Sequence, residues 1–324
     1  MRVLDLFCGA GGSALGAQMA GAEIAAGLDL WSSATETYKQ NFPDAHVWNK
    51  PIQDVSPNSV AKKIGKMDLL LASPECTNHS PAKGSRPRCE GSRETAFQVV
   101  RFAKHFEPRW IVIENVMQMR RWHRYDELLQ KLRSLGYTLR EQVLNAADFS
   151  VPQSRRRLFI TGDLKRSPPE NRAGTEAPKT VDNVLDRTDR FPFTPLRRPG
   201  RAQNTLDRAD RAIAELGTDT AFLIVYYGSD GAGGWQRLDL PLRTITTVDR
   251  FALVMPIPGG HVMRMLQPPE LKAAMGMPPD FALVGSTRRE RIHMIGNAVC
   301  PPLMANVVST LCAERIPETE NSHA

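Results

Sequence analysis

The chain has 324 residues, of which 41% are hydrophobic and 24% are charged, the composition of an ordinary globular protein with room for two hydrophobic cores. No stretch approaches the roughly 20 apolar residues of a membrane span, and the glycine-rich N-terminal segment lacks a signal-peptide cleavage pattern, so we expect a cytoplasmic protein. The net charge of +7 and the pI of about 9.3 favour a polyanionic partner without requiring one.

The first half of the chain alternates strand patterns with helix patterns. Short apolar runs predict strands at residues 3–7, 23–28, 68–72, 110–113 and 157–161. Helical patterns lie between them, at residues 13–20, 33–41, 93–105 and 125–135. Gly136 fits the left-handed position that often follows the end of a helix. This alternation predicts a parallel, doubly wound α/β sheet.

The composition changes after about residue 164. Prolines and arginines crowd the segment that follows, and three β-strand patterns then lie between glycines and prolines, at residues 223–227, 244–248 and 251–254. The last stretch, residues 268–311, has helical composition again. We therefore predict a first α/β domain at residues 1–186, a smaller and mostly β domain at 187–262, and a C-terminal segment at 263–324.

A glycine loop follows the first predicted strand. Gly9, Gly11 and Ala14 fit the fingerprint G-x-G-x-x-G/A, and Asp29 lies about 20 residues further on, where an acidic group would meet ribose hydroxyls. Glycines at these positions allow the backbone to approach a nucleoside cofactor closely. The fingerprint does not distinguish NAD, FAD and S-adenosylmethionine, and a plain tight turn is the structural alternative.

Three strings in the first half carry reactive or charged side chains. Cys76 follows a strand and a proline, and Glu114 ends another strand. Arg155 and Arg157 alternate on an extended segment and so share a face. Each residue alone would suit a solvated or unreactive position. Together they supply a thiol, cations that would lower its pKa, and a carboxyl that burial could keep protonated, which is a set suited to attack on C6 of a pyrimidine.

The cysteines of the chain show no pattern typical of disulfides or of a metal site. All five are widely spaced and form no Cys-x-x-Cys pair, so we expect neither a disulfide framework nor a metal site. Most of them are expected to be small buried hydrophobic residues.

Six motifs, in order and near both ends of the chain, resemble those of DNA cytosine-5 methyltransferases. The opening motif is Asp-Leu-Phe-x-Gly-x-Gly-Gly at residues 5–12, and the nucleophile motif is Ser-Pro-Glu-Cys at 73–76 with Ser80. Glu-Asn-Val at 114–116 resembles the acid motif, and Gln-x-Arg-x-Arg at 153–157 resembles the arginine motif. Residues 264–280 resemble the hinge motif, and Gly-Asn-Ala-Val at 296–299 resembles the last motif.

The resemblance implies a Rossmann-like methyltransferase sheet, S-adenosylmethionine as cofactor, and a cytosine flipped out of double-stranded DNA as substrate. Cys76 would add to C6, and Glu114 would hydrogen-bond N3 and the exocyclic amine. Asn115 would brace the nucleophile loop, while Arg155 and Arg157 would orient the carboxylate and contact O2. The cofactor would be held by Phe7, Gly9, Ala10, Gly11, Gly12, Asp29, Leu30, Ile52, Ser73, Pro74, Asn297 and Val299.

The same resemblance makes residues 187–262 the target-recognition domain and the C-terminal segment a hinge that returns to the catalytic domain. Gln236 and Arg237, in a polar loop, could read base edges, and Thr246 resembles a threonine beside the flipped base. Ser80 and Gln153 are further predicted DNA contacts. We expect a monomer associated with the nucleoid through its DNA; a partner restriction endonuclease stays open.

Two departures from the family pattern lie in the site motifs. Glu75 replaces a proline beside the nucleophile, and it either faces solvent or bonds something that a proline cannot. An altered target base or transferred group is the alternative that Glu75 leaves open. Pro51 stands where many relatives have an aspartate for the adenine amine, which puts that contact in doubt.

Three other interpretations compete with the DNA methyltransferase. One is an RNA cytosine-5 methyltransferase of the same architecture, and another is a non-catalytic DNA-binding protein. The third is a nicotinamide or flavin oxidoreductase built on the glycine loop, which leaves Cys76, Glu114 and Arg155 unexplained.

Overall fold

The computed structural model describes residues 1–75, 91, 94–188, 190–227 and 233–313. Within these residues the larger sheet has seven strands. They are β1 (Arg2–Leu6), β2 (Glu23–Asp29), β3 (His46–Asn49), β4 (Leu69–Ala72), β5 (Trp110–Asn115), β6 (Thr138–Asn145) and β7 (Arg156–Asp163). Their order across the sheet is β3-β2-β1-β4-β5-β7-β6.

Helices pack on both faces of this sheet, because its central strands are apolar on both sides. In β4, for example, Leu69 and Leu71 belong to one hydrophobic cluster and Leu70 to the other, and all three are fully buried. The helices of this half are α1 (Gly12–Met19), α2 (Ser32–Asn41), α3 (Pro57–Ile64), α4 (Phe97–Phe106) and α5 (Tyr125–Ser134). Gly136, just after α5, has the expected left-handed backbone, with φ of +95°.

The sheet is doubly wound as predicted, but it is mixed rather than wholly parallel. Strands β1 to β5 pair in parallel, whereas β7 runs antiparallel between β5 and β6. Only residues 146–155 join β6 to β7, and a parallel pair needs a crossover of roughly a dozen residues or more. The short connection therefore dictates the antiparallel pairing.

The second unit is a five-stranded antiparallel sheet with the order β10-β9-β11-β12-β8, which confirms the predicted smaller β unit. Its strands are β8 (Thr194–Pro195), β9 (Phe222–Val225), β10 (Trp235–Arg237), β11 (Phe251–Ile257) and β12 (Gly260–Met265). Helix α6 (Gln203–Leu216) packs on one face through Ala209 and Ala212, which are fully buried with Phe222 and Val254. Strand β12 continues past residue 262, where the sequence predicts the end of this domain.

The predicted strand at residues 244–248 does not form. Its backbone groups bond to side chains instead of to a neighbouring strand. The amide of Ile245 donates to the Gln153 side chain over 2.9 Å, and its carbonyl accepts from Arg155 over 2.9 Å. The segment therefore runs extended between the two units without joining either sheet.

The C-terminal segment returns to the first sheet through α7 (Pro268–Ala274), α8 (Arg288–Asn297) and α9 (Pro301–Cys312). Helix α9 lies so close to α1 that a Cβ at Gly16 would come within 2.6 Å of Met304 Cβ. By length and apolar composition alone, the stretch Arg288–Cys312 could span a membrane. We interpret it as core, because 61% of its most apolar window is buried and residues 298–300 interrupt the helix.

A buried ion pair joins the two units. Arg264 on β12 donates to both carboxylate oxygens of Glu270 on α7, over 2.7 and 2.8 Å, and both side chains are 2% exposed. The same carboxylate accepts from the backbone amides of Asp186 and Gln267. The pair thus pins the start of the C-terminal segment to the chain that enters the second unit.

Candidate active site

A cavity of about 380 Å³ opens at the carboxyl ends of β1, β2, β4 and β5, the edge at which ligands bind in doubly wound sheets. Residues 297–299 of the C-terminal segment close it from the opposite side. The structure brings most of the predicted cofactor residues to its walls. They are Phe7, Gly9, Ala10, Gly12, Asp29, Leu30, Ile52, Ser73, Pro74, Asn297 and Val299.

The glycine loop forms one end of this cavity, and two of its glycines are required by close packing. Gly11, which does not line the cavity, has φ of +98°, and a Cβ there would lie 2.5 Å from the Phe42 ring. A Cβ on Gly12 would lie 2.3 Å from the carbonyl oxygen of Val299. The loop therefore rests directly on the C-terminal segment at Gly12, where a larger residue would push the cavity walls apart, whereas a larger residue at position 11 would collide with Phe42.

Asp29 at the end of β2 holds the loop from the other side. One carboxylate oxygen accepts from the Gly9 amide over 2.8 Å and the other accepts from the Trp31 amide over 2.9 Å. Burial raises the pKa of Asp29, while the amides of Trp31, Gly9 and Leu30 oppose that rise. Because each ionised carboxylate oxygen can accept a second hydrogen bond, the side chain keeps capacity for a ligand hydroxyl.

The wall beyond Asp29 is apolar. Leu28, Leu30 and Ile52 line it. The side chain of Leu30 is 67% exposed, so its apolar surface is accessible to a ligand. Pro51 also lines this wall and offers no side-chain hydrogen bond. Arg101 on α4 supports the wall from behind, since it donates to the Ile52 carbonyl over 2.6 Å.

Glu114 ends β5 at the rim of the cavity. Its side chain is 9% exposed, and Oε1 lies 3.2 Å from Nε of Arg157 on the neighbouring strand β7. Burial raises the pKa of Glu114, and the positive charges of Arg157 and Arg155 oppose the rise. A buried carboxyl held beside a cation in this way can exist in its protonated form at higher pH than an exposed glutamate and can donate a hydrogen bond to a ligand.

Asn115, the next residue, connects β5 to the segment that leads to Cys76. Its side-chain amide donates to the Pro74 carbonyl over 2.9 Å, and its Oδ1 accepts from the Val116 amide. This bond fixes the backbone at Pro74, and bracing of the nucleophile loop by Asn115 stays a prediction. Glu75 is exposed and lies on the cavity wall, whereas Cys76 and Ser80 lie outside the described residues.

Several predicted DNA contacts occupy other environments. Gln153 is fully buried, and its Nε2 lies 2.8 Å from the sulfur of Met275, so it is not exposed to a DNA surface. Gln236 is 4% exposed, and its amide bonds the carbonyl of Pro241 and the amide of Arg243. Both polar side chains satisfy the backbone of neighbouring segments, which disagrees with direct base contact.

Two other predicted DNA contacts remain accessible. Arg237 is exposed and pairs with Asp239 through Nε over 2.8 Å. Thr246 is partly exposed, and its hydroxyl donates to the Val248 carbonyl over 3.1 Å. These two residues stay candidates for contact with DNA.

The sequence did not single out several residues of the cavity. Cys8 and Ser13 line its floor, and Ser13 Oγ lies 3.4 Å from Ser73 Oγ, which joins the glycine loop to the end of β4. Burial raises the pKa of the Cys8 thiol, and the nearby Asp29 and Asp5 charges act in the same direction. Thr95 and Met294 also line the cavity, as do Trp31, Gln53 and Ala298. Cys8 and Ser13 could have been found in the sequence only because they lie in or next to the motif at residues 5–12. No sequence motif marks Thr95 or Met294.

The fold of the protein is that of solved methyltransferases of the doubly wound class. The Dnmt2 methyltransferase of S. pombe superposes with a TM-score of 0.66 at 18% identity, over 96% of this chain and 98% of that one. The Entamoeba histolytica methyltransferase EhMeth gives a TM-score of 0.66 at 16% identity, over 96% and 97%. At these identities the likeness establishes the fold alone.

The family follows from the sequence as a whole. The family model of the C-5 cytosine-specific DNA methylases matches residues 1–313, so this chain belongs to that family and is a DNA cytosine-5-methyltransferase. The type II methyltransferase M.HindV of Haemophilus influenzae is 27% identical over 333 residues, covering 96% of each chain. The type II methyltransferase M.HgiDI of Herpetosiphon aurantiacus is 29% identical over 319 residues, covering 92% of this chain and 90% of its own.

Proposed function

We propose that the protein transfers a methyl group from S-adenosylmethionine to C5 of a cytosine flipped out of a specific double-stranded DNA sequence. The observation that carries the proposal is the buried carboxyl of Glu114. It lies at the rim of the cavity, beside Arg157 and next to the Asn115 bond that holds the chain two residues before Cys76. This arrangement sets a proton donor and a cation at the place where a pyrimidine would enter, and the Asn115 bond fixes the chain that leads to Cys76.

S-adenosylmethionine fits the cavity. Its volume of about 380 Å³ is within the usual range for small-molecule sites. Asp29 would accept from the ribose hydroxyls, and the apolar wall formed by Leu28, Leu30 and Ile52 would pack against adenine. When bound, the cofactor supplies an electrophilic methyl group. Asn297 and Val299 would close the cavity over it.

The residues of the chain then act on the cytosine. The Cys76 thiolate would form a bond to C6, which makes C5 nucleophilic. Glu114, when protonated, would donate to N3 and so stabilise the negative charge that addition places on the ring. After C5 is methylated, loss of its proton and cleavage of the bond from Cys76 to C6 would restore the aromatic ring and the free thiolate.

DNA binding would involve the second unit and the cleft beside it. A base inside a stacked duplex cannot reach Cys76, so the cytosine must leave the helix. The net charge of +7 favours a polyanion, and Arg237 and Thr246 are accessible for contact. The relatives named above are type II methyltransferases, and we extend that role to this chain. A cognate endonuclease, the monomeric state and association with the nucleoid stay predictions.

Methylation sequencing tests the reaction. Genomic DNA from a host without cytosine methylation would be sequenced after expression of the wild-type chain and of Cys76→Ala. We expect 5-methylcytosine within one short motif, present only with the wild-type chain. Modified cytosine confined to RNA, or a cytosine adduct of another mass, would contradict the proposal and would implicate an RNA substrate or Glu75, respectively.

Covalent trapping tests the mechanism. A duplex with 5-fluorocytosine in that motif cannot lose its C5 substituent as a proton, so the bond from Cys76 to C6 should persist on a denaturing gel. Cys89→Ala is the matched control and should trap DNA as the wild type does. A mobility shift retained in Cys76→Ala would show that another group attacks the ring.

A further inference from the structure

Arg155 lies in the interior of the protein, where three backbone carbonyls surround its guanidinium. It is 3% exposed. Nη1 donates to the Ile245 carbonyl over 2.9 Å, and Nη2 donates to the carbonyls of Gly296 and Ala298 over 2.8 and 3.1 Å. A planar guanidinium is the side chain best suited to such a divergent set of acceptors.

The three carbonyls that accept from Arg155 belong to two segments in different parts of the molecule. Gly296 and Ala298 flank Asn297, and residues 297–299 form the rim of the cofactor cavity. Ile245 lies in the extended segment, residues 244–248, that leaves the second unit. These segments also touch directly, since a Cβ on Gly296 would lie 2.3 Å from the Thr246 carbonyl oxygen. Arg155 therefore bridges the cavity rim and the extended segment.

Neighbouring residues reinforce the same junction. Gln153 accepts from the Ile245 amide over 2.9 Å, and the Ser154 carbonyl accepts from the Thr244 hydroxyl over 2.9 Å. Residues 153–155 thus bind residues 244–245 through three successive positions. This strip therefore fixes the start of the extended segment against the first unit.

Arg157 faces a different partner. Two residues beyond Arg155, its Nε lies 3.2 Å from the Glu114 carboxylate at the cavity rim, and its side chain is 16% exposed. One short segment thus presents one guanidinium to the reacting carboxyl and another to backbone carbonyls. The two arginines of the motif differ in what they hold.

We infer that Arg155 is a positioning residue that couples the cofactor cavity to the extended segment between the two units, and that contact with the cytosine falls to Arg157. The inference rests on the proposed function in taking the cavity as the S-adenosylmethionine site and cytosine as the target base. Binding of the cofactor against residues 297–299 would then steady residues 244–248 through the guanidinium of Arg155. By linkage, anything that steadies the segment would favour cofactor binding to the same extent.

Two variants separate the arginines. Lysine keeps the charge but cannot reach three divergent carbonyls, so Arg155→Lys should weaken binding of S-adenosylhomocysteine, without DNA, by about tenfold or more in calorimetry. Arg157→Lys should bind it within about twofold of the wild type while losing covalent trapping of 5-fluorocytosine DNA. Wild-type affinity in Arg155→Lys together with lost trapping would overturn the inference and place Arg155 at the substrate.

Hydrogen exchange gives a second test, and its first comparison uses the wild-type protein alone, with and without ligand. Saturating S-adenosylhomocysteine should slow exchange in peptides covering residues 244–248, which do not line the cavity. The slowing should persist in Arg157→Lys and disappear in Arg155→Lys. Binding without any change in this segment of the wild type would refute the coupling alone. Absence of binding to the wild type would refute the proposed cofactor, and the coupling with it.

Discussion

The cofactor side and the DNA side of this protein are built on different principles. Around the cavity, backbone and buried carboxylates do most of the holding, as in the contacts of Gly12 with Val299 and of Asp29 with the amides of Gly9 and Trp31. In and around the second unit, long polar side chains hold the backbone in place, as those of Gln153, Arg155 and Gln236 do. The contrast suggests that the first site tolerates almost no change of shape, whereas the second can change its surface contacts and keep its frame.

The largest effect is expected from removing the carboxyl at the centre of the first region. Glu114→Ala should lower the rate of methyl transfer by about 10²-fold to 10⁴-fold, because it removes the proton donor to N3 and leaves Arg157 without its partner. Single-turnover kinetics on the cognate duplex would measure it. Glu141→Ala, a carboxylate on β6 outside the cavity, is the control. A rate within about threefold of wild type in Glu114→Ala would remove Glu114 from the mechanism.

The next largest effect is expected on the free energy of unfolding, from breaking the buried ion pair between the two units. Arg264→Ala leaves Glu270 buried without its cation and is expected to cost about 3–5 kcal/mol in the free energy of unfolding. The exposed pair of Arg237 and Asp239 provides the contrast, since Arg237→Ala should cost less than about 1 kcal/mol. Urea unfolding measures both, and equal costs would show that the junction is not held by this pair.

The glycine loop offers an intermediate effect. Gly12→Ala places a methyl group 2.3 Å from the Val299 carbonyl oxygen, so the C-terminal rim must move away. We expect the affinity for S-adenosylhomocysteine to fall by about tenfold or more, as for a loss of about 1.4 kcal/mol. Gly174→Ala is the matched control because its Cβ would make only an ordinary contact at 3.7 Å. Unchanged affinity in Gly12→Ala would mean that the rim adjusts freely.

The pH dependence sharpens the comparison further. Burial raises the pKa of Glu114, and in the proposed mechanism its protonated form donates to N3 of the cytosine. The rate of trapping should therefore stop rising once Glu114 loses its proton, and it should decline once the pH is above both the pKa of Glu114 and that of the Cys76 thiol. At higher pH the rate should fall by up to about tenfold per pH unit. Glu114→Gln should lose this alkaline decline, and its persistence would assign the proton to another group.

The last effect concerns sequence discrimination by the second unit. Arg237→Ala should change the discrimination between cognate and altered sequences by about 1–3 kcal/mol if Arg237 reads a base, and should only weaken binding uniformly if it contacts phosphate. Competition binding with single-substituted duplexes measures this. Gln236→Ala should act on stability instead, since its amide bonds Pro241 and Arg243.

The sequence predicts the cofactor side well because its signals are local. Gly11 and Gly12 are dictated by close contacts, and Asp29 follows directly from the end of a strand, so short motifs are enough. Helix α3 and the strands β3 and β6 are not predicted. Strand β6 lies at the edge of the sheet, and its mostly polar sequence carries no strong apolar pattern.

Prediction from the sequence fails in and around the second unit for the opposite reason, because the signals there are not local. Residues 244–248 are rich in β-branched side chains and so resemble a strand, yet their hydrogen bonds come from Gln153 and Arg155, about ninety positions earlier. Gln236 resembles the tip of a polar loop, but it belongs to β10 and is buried. Such outcomes depend on tertiary partners that no local pattern contains.

The contact between Gly12 and Val299 also has a consequence for the time course of biosynthesis. The glycine loop leaves the ribosome well before the residues that complete its cavity, because Gly12 and Val299 lie far apart in the sequence. At about 5–20 residues per second, roughly 15 s to one minute separates the two events. A nascent chain therefore carries Cys76 and Glu114 well before its cavity is complete, and under the proposed function it could not use a methyl donor until residue 299 has been added.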